Sequence, residues 1–239
     1  MMAPAMSERS DPPGDPIRHF FAEALLTGGE ATRLYLIRHA QSQGNTGEDL
    51  TTGDPDLTEV GHEQARRLAK RFETQKVHAV YSSPLHRTQE TAGYIAKAMG
   101  GLEVVLKEDL REVTMGQADY DIRVLPEAEQ ARVAIGIVDQ GTWDAFPGSE
   151  GSAVARKRIA NVMDEIVAAH PAQRVAVVAH AGFIQTYISI VLEHPRDYVF
   201  YPFNASITSV RAKGDKRVIW RLNDVAHLDG MPAGYGGIS

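Results

Sequence analysis

No cysteine occurs among the 239 residues of this chain. That absence removes disulfides, thiolate zinc sites, iron–sulfur clusters and a cysteine nucleophile together. There is no excess of basic charge either: 25 Lys and Arg stand against 31 Asp and Glu, a formal net charge of -6. No global positive field therefore recruits nucleic acid or an acidic membrane. Apolar runs long enough to cross a bilayer are missing, and the opening "MMAPAMSERSDPPGDP" lacks the charged-then-apolar order of a secretory signal. These features point to a cytoplasmic protein with neither a membrane nor a nucleic-acid partner. In that setting the sequon Asn204-Ala205-Ser206 reads as coincidence rather than a glycan site. Any anion binding must be local.

What remains is ordinary globular composition, 43% hydrophobic and 23% charged, at a length that suits one α/β domain. Residues 1–15 carry Pro, Ser, Asp and Gly without periodicity and read as a disordered tail. Residues 16–32 read as a helix and linker whose apolar face (Phe20, Phe21, Leu25, Leu26) docks on its own body or, like an edge strand, supports a homo-oligomer. Beyond them strand and helix signals alternate. Short apolar or β-branched runs at 33–37, 77–82, 102–107 and 174–179 interleave with helical spacing at 58–73, 84–99, 152–169 and 182–192. This rhythm implies a three-layer α/β sandwich, a mainly parallel sheet flanked by helices. "ASITSVRAK" and "RVIWRL", separated by Gly214-Asp215, read as a C-terminal edge hairpin. Residues 113–148, broken by Pro126 and Pro147, read as a lid or insertion, with Tyr120, Trp143 and Phe146 either contacting a ligand or, more simply, packing the lid down.

In open parallel sheets, ligands gather outside the carboxyl ends of the strands. The polar residues that follow the four strand runs are few: Arg38 and His39; Ser82, Ser83 and Arg87; Glu112; and His180. Singly, each has a plainer reading as an ion pair, a helix cap or a satisfied core histidine. Together at one rim they form a set suited to phosphoryl transfer. Guanidinium forks match phosphate oxygens, and cations beside an imidazole keep it neutral and nucleophilic. A carboxyl group can protonate a leaving alkoxide. Substitution at phosphorus needs these three things, and no metal or cofactor is required.

The stretch "LIRHAQSQGN" (36–45) resembles the Arg-His-Gly signature of the histidine phosphatase superfamily, in its phosphoglycerate mutase-like branch. The resemblance continues through "DPDLTEVGHEQA", "VYSSPLHRTQETA", "LREVTMG", "FPGSEGSAVARKRI", "VAVVAHAGFI" and "NASITSV", and spans about residues 33 to 228. It implies that 33–239 is the catalytic domain and that His39 becomes a phosphohistidine. It further implies that Arg38, Arg87, His180 and Asn45 bind the phosphoryl group and that Glu112 donates the proton. The chain departs from the signature at Ala40, Gln41 and Ala181, where glycine, glutamate and glycine are usual. The mutase runs Arg-His-Tyr-Gly and Arg-Ser-Tyr-Asp are missing, and 113–148 offers only Arg123 and Arg132 as extra cations. Hydrolysis of a small phosphate ester is therefore favoured over mutase-type transfer. A catalytically silent phospho-ligand binder is the alternative from another class.

Overall fold

The computed structural model describes residues 16–49, 53–116, 122 and 125–231. The expected tail at 1–15 and the lid residues Tyr120 and Arg123 lie outside them. The elements run α1 (Pro16–Ala24), β1 (Thr32–Arg38), α2 (Gln43–Thr46), α3 (Glu59–Phe72), β2 (Ala79–Ser82), α4 (His86–Ala98), β3 (Val104–Leu106), α5 (Glu127–Asp139), α6 (Ser152–Ala169), β4 (Arg174–Ala179), α7 (Ala181–Val191), β5 (Ile207–Lys213) and β6 (Lys216–Asp224). Six strands form one sheet in the order β3-β2-β4-β1-β5-β6. The first four pair in parallel, β5 and β6 antiparallel.

Side-chain alternation sorts two cores onto the two faces. On β4, Val175, Val177 and Ala179 join Leu34 and Leu36 of β1 under α6 and α7, with Ile159, Met163, Phe183 and Ile188 fully buried. Ala176 and Val178 turn the other way with Ile37 and Val80, under Leu68 and Phe72 of α3 and Ile95 of α4. β4 is apolar on both sides because both faces are covered. α7 is buried along nearly its whole length, as expected for a helix that is apolar all round.

Strands and helices fall where the sequence pattern puts them, with ends shifted by one or two residues. The C-terminal hairpin differs in one respect. Only β6 is an edge; β5 lies inside the sheet, antiparallel to the central β1, from Thr32↔Ala212 to Ile37↔Ile207. In the stretch read as a lid or insertion, α5 is mostly exposed and Arg132 sits on it, also exposed. Trp143 and Phe146 are buried: Trp143 donates from Nε1 to Thr186 Oγ1 at 2.7 Å and meets the Tyr198 ring edge-on at 4.6 Å. These aromatics pack their segment onto the rest of the domain.

Candidate active site

The carboxyl ends of β1, β2 and β4 meet side by side, so the residues that follow them are held by the sheet itself. His39 N–H donates to Ala179 O at 3.0 Å, and Ser83 N–H to Val178 O at 3.1 Å, extending the ladder past the strand ends. His39 is 4% exposed and its ring stands 5.3 Å from that of His180. Its Nδ1 lies 2.8 Å from Ala40 O. A carbonyl can only accept, so Nδ1 carries the proton and Nε2 presents its lone pair. Burial holds His39 well below the ordinary histidine pKa, and the charges of Arg87, Arg38 and His180 push it in the same direction. Burial does the same to His180, again reinforced by Arg87 and Arg38.

Arg38 is anchored by one end only. Nη1 donates to Pro202 O at 2.8 Å and to the Tyr201 hydroxyl at 3.3 Å, while its buried Nε has no acceptor among the described residues. A buried guanidinium N–H left unpaired is costly unless an anion completes it. Arg87, on the first turn of α4, reaches His180 Nδ1 at 3.4 Å and Asp54 Oδ1 at 3.4 Å. Burial lowers its pKa, and the carboxylates of Glu112 and Asp54 oppose that shift. The other nitrogen of His180, Nε2, is 2.9 Å from Ser83 Oγ.

Glu112 follows the turn at 108–110 and is seated on the first turn of α7, directly after His180. Its Oε2 accepts from Gly182 N–H at 3.1 Å, and its Oε1 from Phe183 and Val113 N–H, each at 2.9 Å. A helix N-terminus favours a carboxyl group in that place. Gly182 is required there, because a Cβ would stand 2.7 Å from Glu112 Oε1 and 2.8 Å from the Trp143 ring.

The orientation of Asn45 is settled by its carbonyl oxygen, which accepts from Ser42 N–H (3.0 Å), Ser42 Oγ–H (3.2 Å) and Asn204 Nδ2 (3.0 Å). Three donors on the oxygen assign the amide hydrogens to the other side of the group. Asn204 also donates to His39 O at 3.0 Å, and Ala205 N–H donates to Arg38 O at 3.1 Å. Asn204, Ala205 and Ser206 are all buried, so no glycan fits the folded chain at this sequon. Sequence reasoning assigned no role to Asn204 or Tyr201; only the long-range return of the chain along β1 brings them in. Ala40 and Ala181 need no left-handed backbone, so the missing glycines are tolerated.

A grouping of Asp56, His86 and Glu90 offers oxygen and nitrogen atoms within 4.8 Å at the outer end of α4. His86 Nδ1 and Asp56 Oδ1 are already in contact at 2.6 Å, closer than two ligands of one ion sit at metal–ligand bonds of about 2 Å. The pair is a salt bridge on the surface. Among the described residues no helix is long and apolar enough to cross a membrane.

Known proteins resemble the chain over most of its length. A metal-independent phosphoserine phosphatase of Arabidopsis thaliana is 30% identical over 219 residues, 88% of this chain and 89% of that protein. A phosphoserine phosphatase of Entamoeba histolytica, solved with phosphoserine, superposes with a TM-score of 0.70 at 26% identity, covering 82% of this chain and 99% of that one. A phosphoglycerate mutase of Bacillus anthracis shares the fold with a TM-score of 0.68 at 22% identity, covering 83% and 96%. The model of the histidine phosphatase superfamily, branch 1, matches residues 34–225, and the chain belongs to that superfamily.

Proposed function

We propose that the protein is a cytoplasmic, metal-independent phosphomonoesterase that uses His39 as nucleophile on a small phosphorylated metabolite, with 113–148 as the lid of the single catalytic domain 33–239. The orientation of His39 carries this reading: a buried, neutral imidazole with Nε2 free, beside two guanidinium groups. Arg38 through its orphaned Nε, Arg87 and the Asn45 amide hold the phosphoryl oxygens. His39 Nε2 attacks phosphorus, the ester P–O bond breaks, and the Glu112 carboxyl gives its proton to the departing alkoxide. Water then attacks the phosphohistidine, the P–N bond breaks, and Glu112 takes the proton from the water. Inorganic phosphate leaves, and both residues return to their starting states.

His180 contributes through Ser83. As Arg87 turns to the phosphoryl group, the Ser83 hydroxyl can donate to His180 Nε2, leaving Nδ1–H to face a phosphoryl oxygen. The phosphoserine phosphatases among its relatives make phosphoserine the first natural ester to try. The test is phosphate release from an aryl phosphate and from phosphoserine in the presence of a chelator, comparing wild type with His39→Ala. Turnover with an acid-labile phosphoenzyme in the wild type, and neither in the variant, is the expected result. A protein that binds phosphate but never labels His39 would be a silent binder.

A further inference from the structure

On the sheet face covered by α3, two arginines stand directly opposite each other. Arg33 of β1 pairs with Arg211 of β5 across an antiparallel register, on one face. Like charges in such a pair repel and cost stability. Arg211 is partly provided for: it donates to Leu26 O at 2.7 Å and its guanidinium lies 3.7 Å over the Trp220 ring. Burial lowers its pKa and the charge of Arg33 lowers it further. Arg33 makes no side-chain hydrogen bond or ion pair among the described residues.

The pair opens into a cavity of about 230 Å³, also lined by Arg71 and Arg221. The one carboxylate lining it is Asp224, already engaged by Arg221 at 3.2 Å and Arg71 at 3.8 Å. Four guanidinium groups thus face a concave space with a single negative charge, on a protein whose net charge is -6. The cavity lies below the ~300–1,000 Å³ of clefts that hold drug-sized ligands, so its occupant is small. Arg33 and His39 are six residues apart along β1, about 20 Å at strand spacing, so this space is separate from the phosphoryl site.

We propose that this cavity is a second ligand site, taking a small organic or inorganic polyanion with two or more acid groups that bridges Arg33 and Arg211. Guanidinium forks match carboxylate and phosphate oxygens equally well. The two ligand chemistries are separated by titrating citrate and pyrophosphate in parallel. Trp220 supplies the reporter, because Trp143, the other tryptophan, is buried in the lid.

The experiment follows both indole N–H signals by NMR at constant ionic strength, in wild type and in Arg33→Gln. Saturable movement of the Trp220 signal with a still Trp143 signal is expected, the tighter probe naming the acid group. In Arg33→Gln the affinity should fall at least tenfold while the Trp143 signal stays in place, reporting an intact fold. Loss of the like-charge pair should also raise the Tm of the ligand-free variant and shrink the Tm gain that the probe gives wild type, leaving only the part due to the phosphoryl site. No saturable movement with either probe, or equal affinity in Arg33→Gln, overturns the proposal. Aryl phosphate turnover without polyanion should be the same in both proteins, so failure here and failure of the phosphatase reading are told apart.

Discussion

At the residue scale, orientation decides more than identity. His39 and Asn45 each have a polar end fixed by backbone or neighbouring side chains, which settles the orientation of the other end. Asn204 joins the two, donating to His39 O and to Asn45 Oδ1. Asn204→Ala should therefore lower kcat/KM by about 10²-fold through misplacement, and cost about 0.5–1.5 kcal/mol for each of the two hydrogen bonds lost, since His39 O keeps Ala205 N–H and Asn45 Oδ1 keeps Ser42 as donors; steady-state kinetics beside urea unfolding would separate the two. Gly182→Ala should impair turnover more than stability. Alanine favours the helix, but its methyl would enter the space of Glu112 Oε1 and Trp143, and a pH–rate profile with a displaced limb would show the carboxyl disturbed. Arg38, His39, Arg87, Glu112 and His180 could be picked out as candidates from sequence because each lies at a strand end or within six residues after one. Asn204 could not, since its partners lie 159 and 165 residues away.

At the element scale, close approach of backbone to backbone sets the site. α3 begins against the loop after β1, where Gly61 would place a Cβ 2.0 Å from Gln41 O. In an exposed helix Gly→Ala gains about 1 kcal/mol; here a clash with rigid backbone outweighs it. Gly61→Ala should destabilise the fold and weaken phosphate binding, seen as a lower Tm and a raised KM. On the other face Asp197, fully buried, accepts from Arg156 Nε (2.8 Å), Ser152 Oγ (2.5 Å) and Trp143 N–H (3.0 Å). It ties the start of α6, the lid and the chain after α7 together. Asp197→Ala would strand Arg156 and should cost about 3–5 kcal/mol, measurable by chemical denaturation. Helix and strand periodicity made the six strands and the helices at 59–72, 86–98, 152–169 and 181–191 legible, but not the bounds of α5, which is mostly exposed and has Val133 as its one buried residue. That tie was not legible either, because nothing local marks an aspartate whose partners come from two other segments, 41 to 54 residues away.

At the scale of the whole molecule, the two buried histidines couple folding to pH. Both have folded-state pKa values well below the ordinary value of about 6.5. The unfolded chain therefore binds more protons than the folded one as pH drops below about 6.5. Stability should rise with pH through that window and fall on acidification, by up to about 1.4 kcal/mol per pH unit for each histidine. His86 works in the other direction: its hydrogen bond to Asp56 raises its pKa, but it is exposed and the buried pair should dominate. Denaturation at pH 7.5 and at pH 5 should show the loss, and His39→Ala should flatten the slope.

The buried segment 204–206 carries a consequence for how the chain can be manufactured. In a eukaryotic secretory host, oligosaccharide is added to the emerging polypeptide before it folds. Sugar on Asn204 would have to occupy the space beneath His39, so material routed that way should fail to reach the native state. Ser206→Ala removes the acceptor motif and keeps Asn204. The Ser206 hydroxyl is buried with no partner among the described residues, so this change should leave the bacterially produced enzyme as stable and active as before, and rescue the secreted one.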